Sequence, residues 1–379
     1  MIVRIGQKFV WMLGIWLAIF LPIHFFTDGD SVRAASFEDE SFEAILAEAS
    51  ISFTVYSNDS LAELSSYLPK GINLDHIPKS AFTRTSERVF TPGVCYTLLE
   101  DPSLYQQRWD TMHQVRFWRT IMRLPNDTAL ISATPSRRIL GGINWKQWSS
   151  LSNNQQTNFK DSLQRVHVLD STEQLMITFG KSHYYHFDRV IPTLARGIQA
   201  FEKAKVDPWY AQAILLIESP GQLALSPVGA YGSFQLMESV AREHGLIVND
   251  TVDERADFFK AAWAAAALLR TRCIPQARRI VQKWNLPPNE NELWFRLLVL
   301  HIYHAGAGNV GGAINQIAPD MYGPELLQRL WRTEYGGFKN ASQNYSQIAL
   351  ASLLELDQIV KQNADTVCFD RKAYPTINL

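Results

Sequence analysis

The pattern of apolar positions changes character near residue 190. Before that point apolar residues come in short runs or alternations. Ser52 to Tyr56, Thr128 to Thr134 and Leu175 to Phe179 read as strands, and Tyr184 to Phe187 as a further strand forming a hairpin around Gly180-Lys181-Ser182. Phe42 to Ala49 reads as a helix, and Trp145 to Val168 as helix mixed with turn. Beyond residue 190 the apolar segments lengthen to helical size. Pro192 to Lys205 is one, and Asp207-Pro208 opens another that runs through Glu218 and ends at Pro220-Gly221. Met237 to Gly245 follows. Ala256 to Cys273 and Leu293 to Ala305 are apolar nearly all round, as expected of helices buried at a domain centre, and Gln343 to Val360 closes the series. The expected fold class is therefore α+β overall, with a smaller mixed α/β region at 35–188, an all-α domain at 189–365 and a tail at 366–379.

The first residues change the picture of where this fold operates. Arg4 and Lys8 precede an apolar stretch over residues 9–26, which is followed by Asp28 and Asp30 and then by Val32-Arg33-Ala34-Ala35. The pattern predicts a signal peptide or signal anchor at 1–34, cleaved after Ala34 or retained in the membrane through residues 9–26. Either outcome places the remainder outside the cytoplasm, in the periplasm or cell envelope. A formal net charge of -1, with no long run of Lys and Arg, gives no field for nucleic acid.

Candidate chemistry concentrates in two segments of the helical half. Glu218-Ser219 leads into Ser226-Pro227-Val228-Gly229-Ala230-Tyr231-Gly232-Ser233-Phe234-Gln235-Leu236-Met237, and Tyr303-His304-Ala305-Gly306-Ala307-Gly308-Asn309 comes later. Glu218 follows Ile214-Leu215-Leu216-Ile217, so an apolar wall desolvates its carboxyl. It also stands in the last turn of its helix, where the macrodipole disfavours negative charge. Both effects hold the proton on, as a general acid requires. Gly229, Ala230 and Gly232 let the backbone approach a bulky ligand, and Gln235 supplies both a donor and an acceptor for an amide-bearing sugar.

These segments resemble the catalytic domain of the bacterial lytic transglycosylases of the soluble, goose-lysozyme-like (SLT) type. In that family the catalytic Glu is followed by Ser, then by Ser-Pro-x-Gly-Ala-x-Gly-x-x-Gln-x-Met, and later by Ala-Tyr-Asn-Ala-Gly. The chain matches at Glu218, Ser219, Ser226, Pro227, Gly229, Ala230, Gly232, Gln235, Met237, Tyr303, Ala305 and Gly306. The resemblance covers roughly residues 190–360 and implies a lysozyme-like helical domain. It implies that Glu218 is the sole acid/base, and that Ser219, Ser226, Gly229, Ala230, Gln235, Met237, Tyr303, His304 and Tyr345 line the saccharide site. It further implies cleavage of peptidoglycan strands between N-acetylmuramic acid and N-acetylglucosamine with closure of a 1,6-anhydro ring, using no metal or cofactor. His304 replaces the family's Asn, Glu238 stands where Pro is frequent, and the stretch from Glu218 to Ser226 is one residue short. The family's Glu-Thr-x-x-Tyr is here Ala341-Ser342-Gln343-Asn344-Tyr345.

Spacing does not separate ring closure from hydrolysis, so a muramidase on the same scaffold stays open, as does a non-catalytic glycan-binding or scaffolding module. Gly306-Ala307-Gly308-Asn309-Val310-Gly311 fits a dinucleotide fingerprint but follows a helix where that motif needs a strand. His301 with His304, and His183 with His186, lack an obvious third metal ligand. Arg270, Arg272, Arg278 and Arg279 read as a solvated helix face. Of the three cysteines, Cys95, Cys273 and Cys368, the last two are the first pair to test for a disulfide.

Overall fold

The structure is a computed structural model that describes residues 84–91, 94–170, 173–218 and 223–362. The export segment, the expected helix at 42–49 and strand at 52–56, Ser219, Cys368 and the tail lie outside these residues. No helix among the described residues is long and apolar enough to cross a membrane.

Strands β1 (Arg84–Thr91) and β2 (Val94–Glu100) form an antiparallel hairpin. Helices α1 (Ser103–Gln106) and α2 (His113–Arg123) follow. Strands β3 (Thr128–Thr134) and β4 (Arg138–Asn144) lead into α3 (Trp145–Ser150) and α4 (Asn153–Val166), and β5 (Gln174–Phe179) completes an antiparallel sheet of order β4-β3-β5. Alternation along the central strand β3 serves two cores. Leu130 joins the main core, whereas Ala129 and Ile131 meet Ile143, Trp148 and Leu163 in a smaller one.

The expected hairpin at 180–182 does not form. Gly180 N donates to Thr128 O at 2.8 Å and Lys181 N to Ile121 O at 2.7 Å, so the chain crosses the end of α2 and β5 pairs with β3 instead. Gly180 permits this, since a Cβ there would collide with the carbonyl oxygens of Leu124 and Pro125. Tyr184 and Tyr185 then lie in a turn before α5 (Phe187–Lys203), which starts ahead of Pro192. Burial of Val190, Ile191, Leu194, Ile198 and Phe201 on one face outweighs the backbone bond that the proline lacks.

Helix α6 (Trp209–Ile217) is buried throughout its length, and Asp207 caps it by accepting from Trp209 N at 3.0 Å. After α7 (Glu238–Glu243), α8 (Phe258–Leu268) passes through a π-helical turn at Leu269–Cys273 into α9 (Ile274–Gln282). Pro275, in the first turn of α9, removes a donor where the ladder widens. Helix α10 (Leu293–Ala305) stops at Gly306 as the sequence predicts, but the glycines open a new helix, α11 (Ala307–Ile317). There Gly312 lets Tyr335 lie against the backbone. Helices α12 (Pro324–Leu330) and α13 (Asn340–Gln362) complete the chain of elements. The architecture is α+β, with the three-stranded sheet preceding a helical C-terminal half.

The main core takes in Leu98, Leu99, Trp109, Phe117 and Trp118 together with the helical half. Gln212 of α6, almost fully buried, accepts from Leu99 N at 3.0 Å and donates to Leu99 O at 2.9 Å. Arg296 of α10 reaches Asp207 at 2.7 Å and Asp101 at 3.7 Å, so strand β2 and the loop after it are fastened to both central helices.

Candidate active site

Glu218 caps the C-terminal end of α6, with its N–H donating to Ile214 O at 2.9 Å. Desolvation by the apolar wall pushes its carboxyl up to about 7. The opposing influence is Tyr345, whose Oη donates to Glu218 Oε1 at 2.7 Å and favours the charged form. Tyr184 Oη donates to Glu218 O at 3.0 Å, satisfying a carbonyl left over at the helix end. Among the described residues, no second carboxyl group perturbs Glu218.

The segment after the undescribed residues 219–222 is a compact loop. Ser226 N donates to Ala230 O at 2.8 Å, Ala230 N donates to Ser226 Oγ at 2.9 Å, and Tyr231 and Leu236 exchange backbone bonds at 3.1 Å. Gly229 and Gly232 take φ of 88° and 83°, and a Cβ on Gly232 would collide with Arg255 O. Gln235, itself at φ 47°, donates through Nε2 to Ala224 O at 2.7 Å and Gly232 O at 3.0 Å. The buried Arg255 guanidinium ties the loop from below. It donates to Gly229 O at 2.8 Å and Leu236 O at 3.1 Å and pairs with Asp253 at 2.7 Å. Ser226, Gly229, Ala230 and Gln235 thus shape the loop with one another. Met237, Val228, Leu225 and Leu223 stand exposed on it.

Tyr303 of α10 links acid and loop. Its Oη donates to Phe234 O at 2.6 Å, and burial together with the nearby Glu218 carboxylate holds its phenol above the ordinary range. The phenol that bonds the acid directly is therefore that of Tyr345. His304 stacks on Tyr345 at 4.4 Å between ring centres, 19° from parallel. Partial burial lowers its imidazole below the ordinary value, though over a third of its surface is exposed, which moderates the effect. His301 is fully buried, lowered to about 3 by desolvation, and lies 2.7 Å from Ser346 Oγ, which also accepts from Trp331 Nε1 at 2.7 Å. These histidines pack; no group of metal-ligating side chains occurs among the described residues.

The structure brings Glu218, Tyr303, His304 and Tyr345 together and sets the loop against them through Phe234. Sequence reasoning passed over Tyr184, read as a strand residue, and Arg255, which no local pattern marks. A doubled tyrosine just before an amphipathic helix was the one available signal for the first.

Residues 197–318 match a family model for the transglycosylase SLT domain. This stretch is a transglycosylase SLT domain. No curated protein matches the chain at a significant level. The SLT domain is lysozyme-like and, at family level, belongs to transglycosylases acting on peptidoglycan. The match encloses Glu218, the glycine-rich loop, Tyr303 and His304, while Tyr184 and Tyr345 come from outside it. Residues on both flanks of the matched segment thus hydrogen-bond Glu218.

Proposed function

We propose that this chain is an exported peptidoglycan lytic transglycosylase with Glu218 as its sole acid/base. The feature that carries this reading is the placement of Glu218, whose Oε1 accepts from Tyr345 at 2.7 Å and whose carboxyl desolvation pushes up to about 7, with no second carboxyl acting on it among the described residues. Most glycosidases divide the work between two carboxyl groups. With one, the substrate must supply the second function. Glu218 donates its proton to the glycosidic oxygen, and the C1–O bond of N-acetylmuramic acid breaks as N-acetylglucosamine leaves with a new hydroxyl. The acetamido oxygen of the muramic unit stabilises the electron-poor C1. The Glu218 carboxylate, held by Tyr345, then removes the proton of the muramic O6, which bonds to C1. The 1,6-anhydro ring closes, Glu218 is reprotonated, and no water is consumed. Residues of the loop, with Ser219, Gln235 and Met237, contact the saccharide, and His304 and Tyr345 offer a flat surface beside it. The N-terminal apolar segment delivers the domain to the cell wall, as a cleaved signal or an anchor.

The test is mass spectrometry of sacculi digested with wild type and with Glu218→Gln. Muropeptides ending in anhydro-muramic acid, released by wild type and reduced by about 10²- to 10⁴-fold in the variant, support the reading. Reducing ends would replace it with hydrolysis. Equal, negligible release by both proteins, with binding retained, would make the domain a glycan-binding module.

A further inference from the structure

Tyr345 bonds the Glu218 carboxyl, and its own placement depends on two contacts between α13 and α10. Ser346, the next residue of α13, has its Oγ 2.7 Å from His301 Nε2 and accepts from Trp331 Nε1 at 2.7 Å. These bonds fix the backbone of α13 but do not by themselves set the side-chain torsions of Tyr345. His304, one turn after His301, meets the ring itself. The imidazole and phenol centres are 4.4 Å apart and the planes 19° from parallel, so face lies on face. Tyr345 is only 4% exposed whereas His304 is open to solvent, so the imidazole covers the phenol on its outer side.

The influence of His304 on the acid runs through that ring. Among the described residues, the titratable groups that face Glu218 are the phenols of Tyr184, Tyr185, Tyr303 and Tyr345, each pushed above its ordinary range by burial and by the nearby carboxylate. The carboxyl itself responds to desolvation and to the Tyr345 bond, and His304 is not among its perturbers. The ionisable neighbour of His304 is His301, and desolvation keeps both imidazoles uncharged near neutral pH. His304 therefore meets Tyr345 as a flat, neutral ring, which the asparagine of the family pattern would not supply. We propose that His304 is a positioning residue whose imidazole, stacked on Tyr345, holds the phenol hydroxyl against Glu218 Oε1. Its catalytic consequence rests on the acid/base role proposed above for Glu218. A hydrogen bond to an acid keeps its geometry only while the donor's rotamer is locked, since a phenol free to turn exchanges the carboxylate for water.

Infrared titration of the Glu218 carboxyl tests this in the full chain without substrate, each protein being measured against its own Glu218→Gln counterpart. His304→Asn removes the ring at a solvent-open position, and His304→Phe restores a flat face without the ring nitrogens. Only the first variant loosens Tyr345 and weakens its lowering influence on the carboxyl. The midpoint is expected to rise by roughly half a unit in His304→Asn and to keep the wild-type value in His304→Phe. In a Tyr345→Phe background His304→Asn should add nothing, because no hydroxyl remains to be placed. A midpoint unmoved by His304→Asn, an equal rise in His304→Phe, or an undiminished rise in the Tyr345→Phe background overturns the positioning role. The alkaline limb of kcat/KM should follow the same order, whereas a merely structural role would lower kcat/KM at every pH and leave the limb in place. The infrared midpoint needs no turnover, so the two readings fail separately. A protein that shows the expected order but releases no anhydro-muropeptides keeps the coupling and loses the enzymatic reading. Release by a wild type whose midpoint is indifferent to His304 removes the coupling alone.

Discussion

Glu218 is poised by two opposed influences of named origin: desolvation raises its carboxyl and the Tyr345 hydroxyl lowers it. Tyr345→Phe removes only the second. The remaining desolvation then carries the carboxyl above about 7, so the alkaline limb of the kcat/KM profile should move to higher pH by roughly one to two units, the worth of one hydrogen bond to a charged group. A limb that moves down or stays fixed contradicts the assignment of Tyr345. At this scale the sequence was informative where the cause is local. The apolar run before Glu218 points to the upward shift of its carboxyl, and the family pattern points to Tyr345. Tyr303 and Tyr345 are both expected near the acid, but which phenol reaches it depends on how α10 and α13 cross, and spacing does not encode that. His304, the chief departure from the family pattern, stacks on Tyr345 and remains partly open to solvent.

Among the elements, the glycine-rich loop is the most demanding. Gly229 and Gly232 share the left-handed backbone region, but only Gly232 is pressed against Arg255 O. Gly229→Ala should therefore cost about 1 kcal/mol of backbone strain, whereas Gly232→Ala adds a steric clash and should cost several times more, with loss of product release from sacculi. Chemical denaturation and digestion of the two variants side by side check the difference. Similar, small losses would mean that the loop is not held by Arg255. Glycine in the sequence was a good marker of this loop and a poor one elsewhere. The glycines after α10 read as an ending, but they build α11, where the missing side chain of Gly312 admits Tyr335. The strand expected at Tyr184 failed for a similar reason. Gly180 fits a hairpin turn in the sequence, yet its lack of a side chain serves a close crossing over α2.

For the molecule as a whole, residues 98–124 share the core of the helical half, a partnership the local pattern does not express because the contacts span more than a hundred positions. Gln212 makes it specific by pairing with both backbone groups of Leu99. Gln212→Leu leaves a buried N–H and a buried C=O without partners and should destabilise the fold by about 2–4 kcal/mol in chemical denaturation. A loss below about 1 kcal/mol would show that strand β2 is dispensable to the catalytic helices. The same core encloses α6, which ends at Glu218, so residues 98–124 support the site as well as adjoining it.

The central claim is that Glu218 keeps its proton at neutral pH. Difference infrared spectroscopy, wild type minus Glu218→Gln, reads that carboxyl directly during a pH titration. A protonated carboxyl band that persists through pH 6 and disappears around pH 7 is the expected result. A carboxylate already formed at pH 5, the behaviour of an ordinary exposed glutamate, would contradict the account.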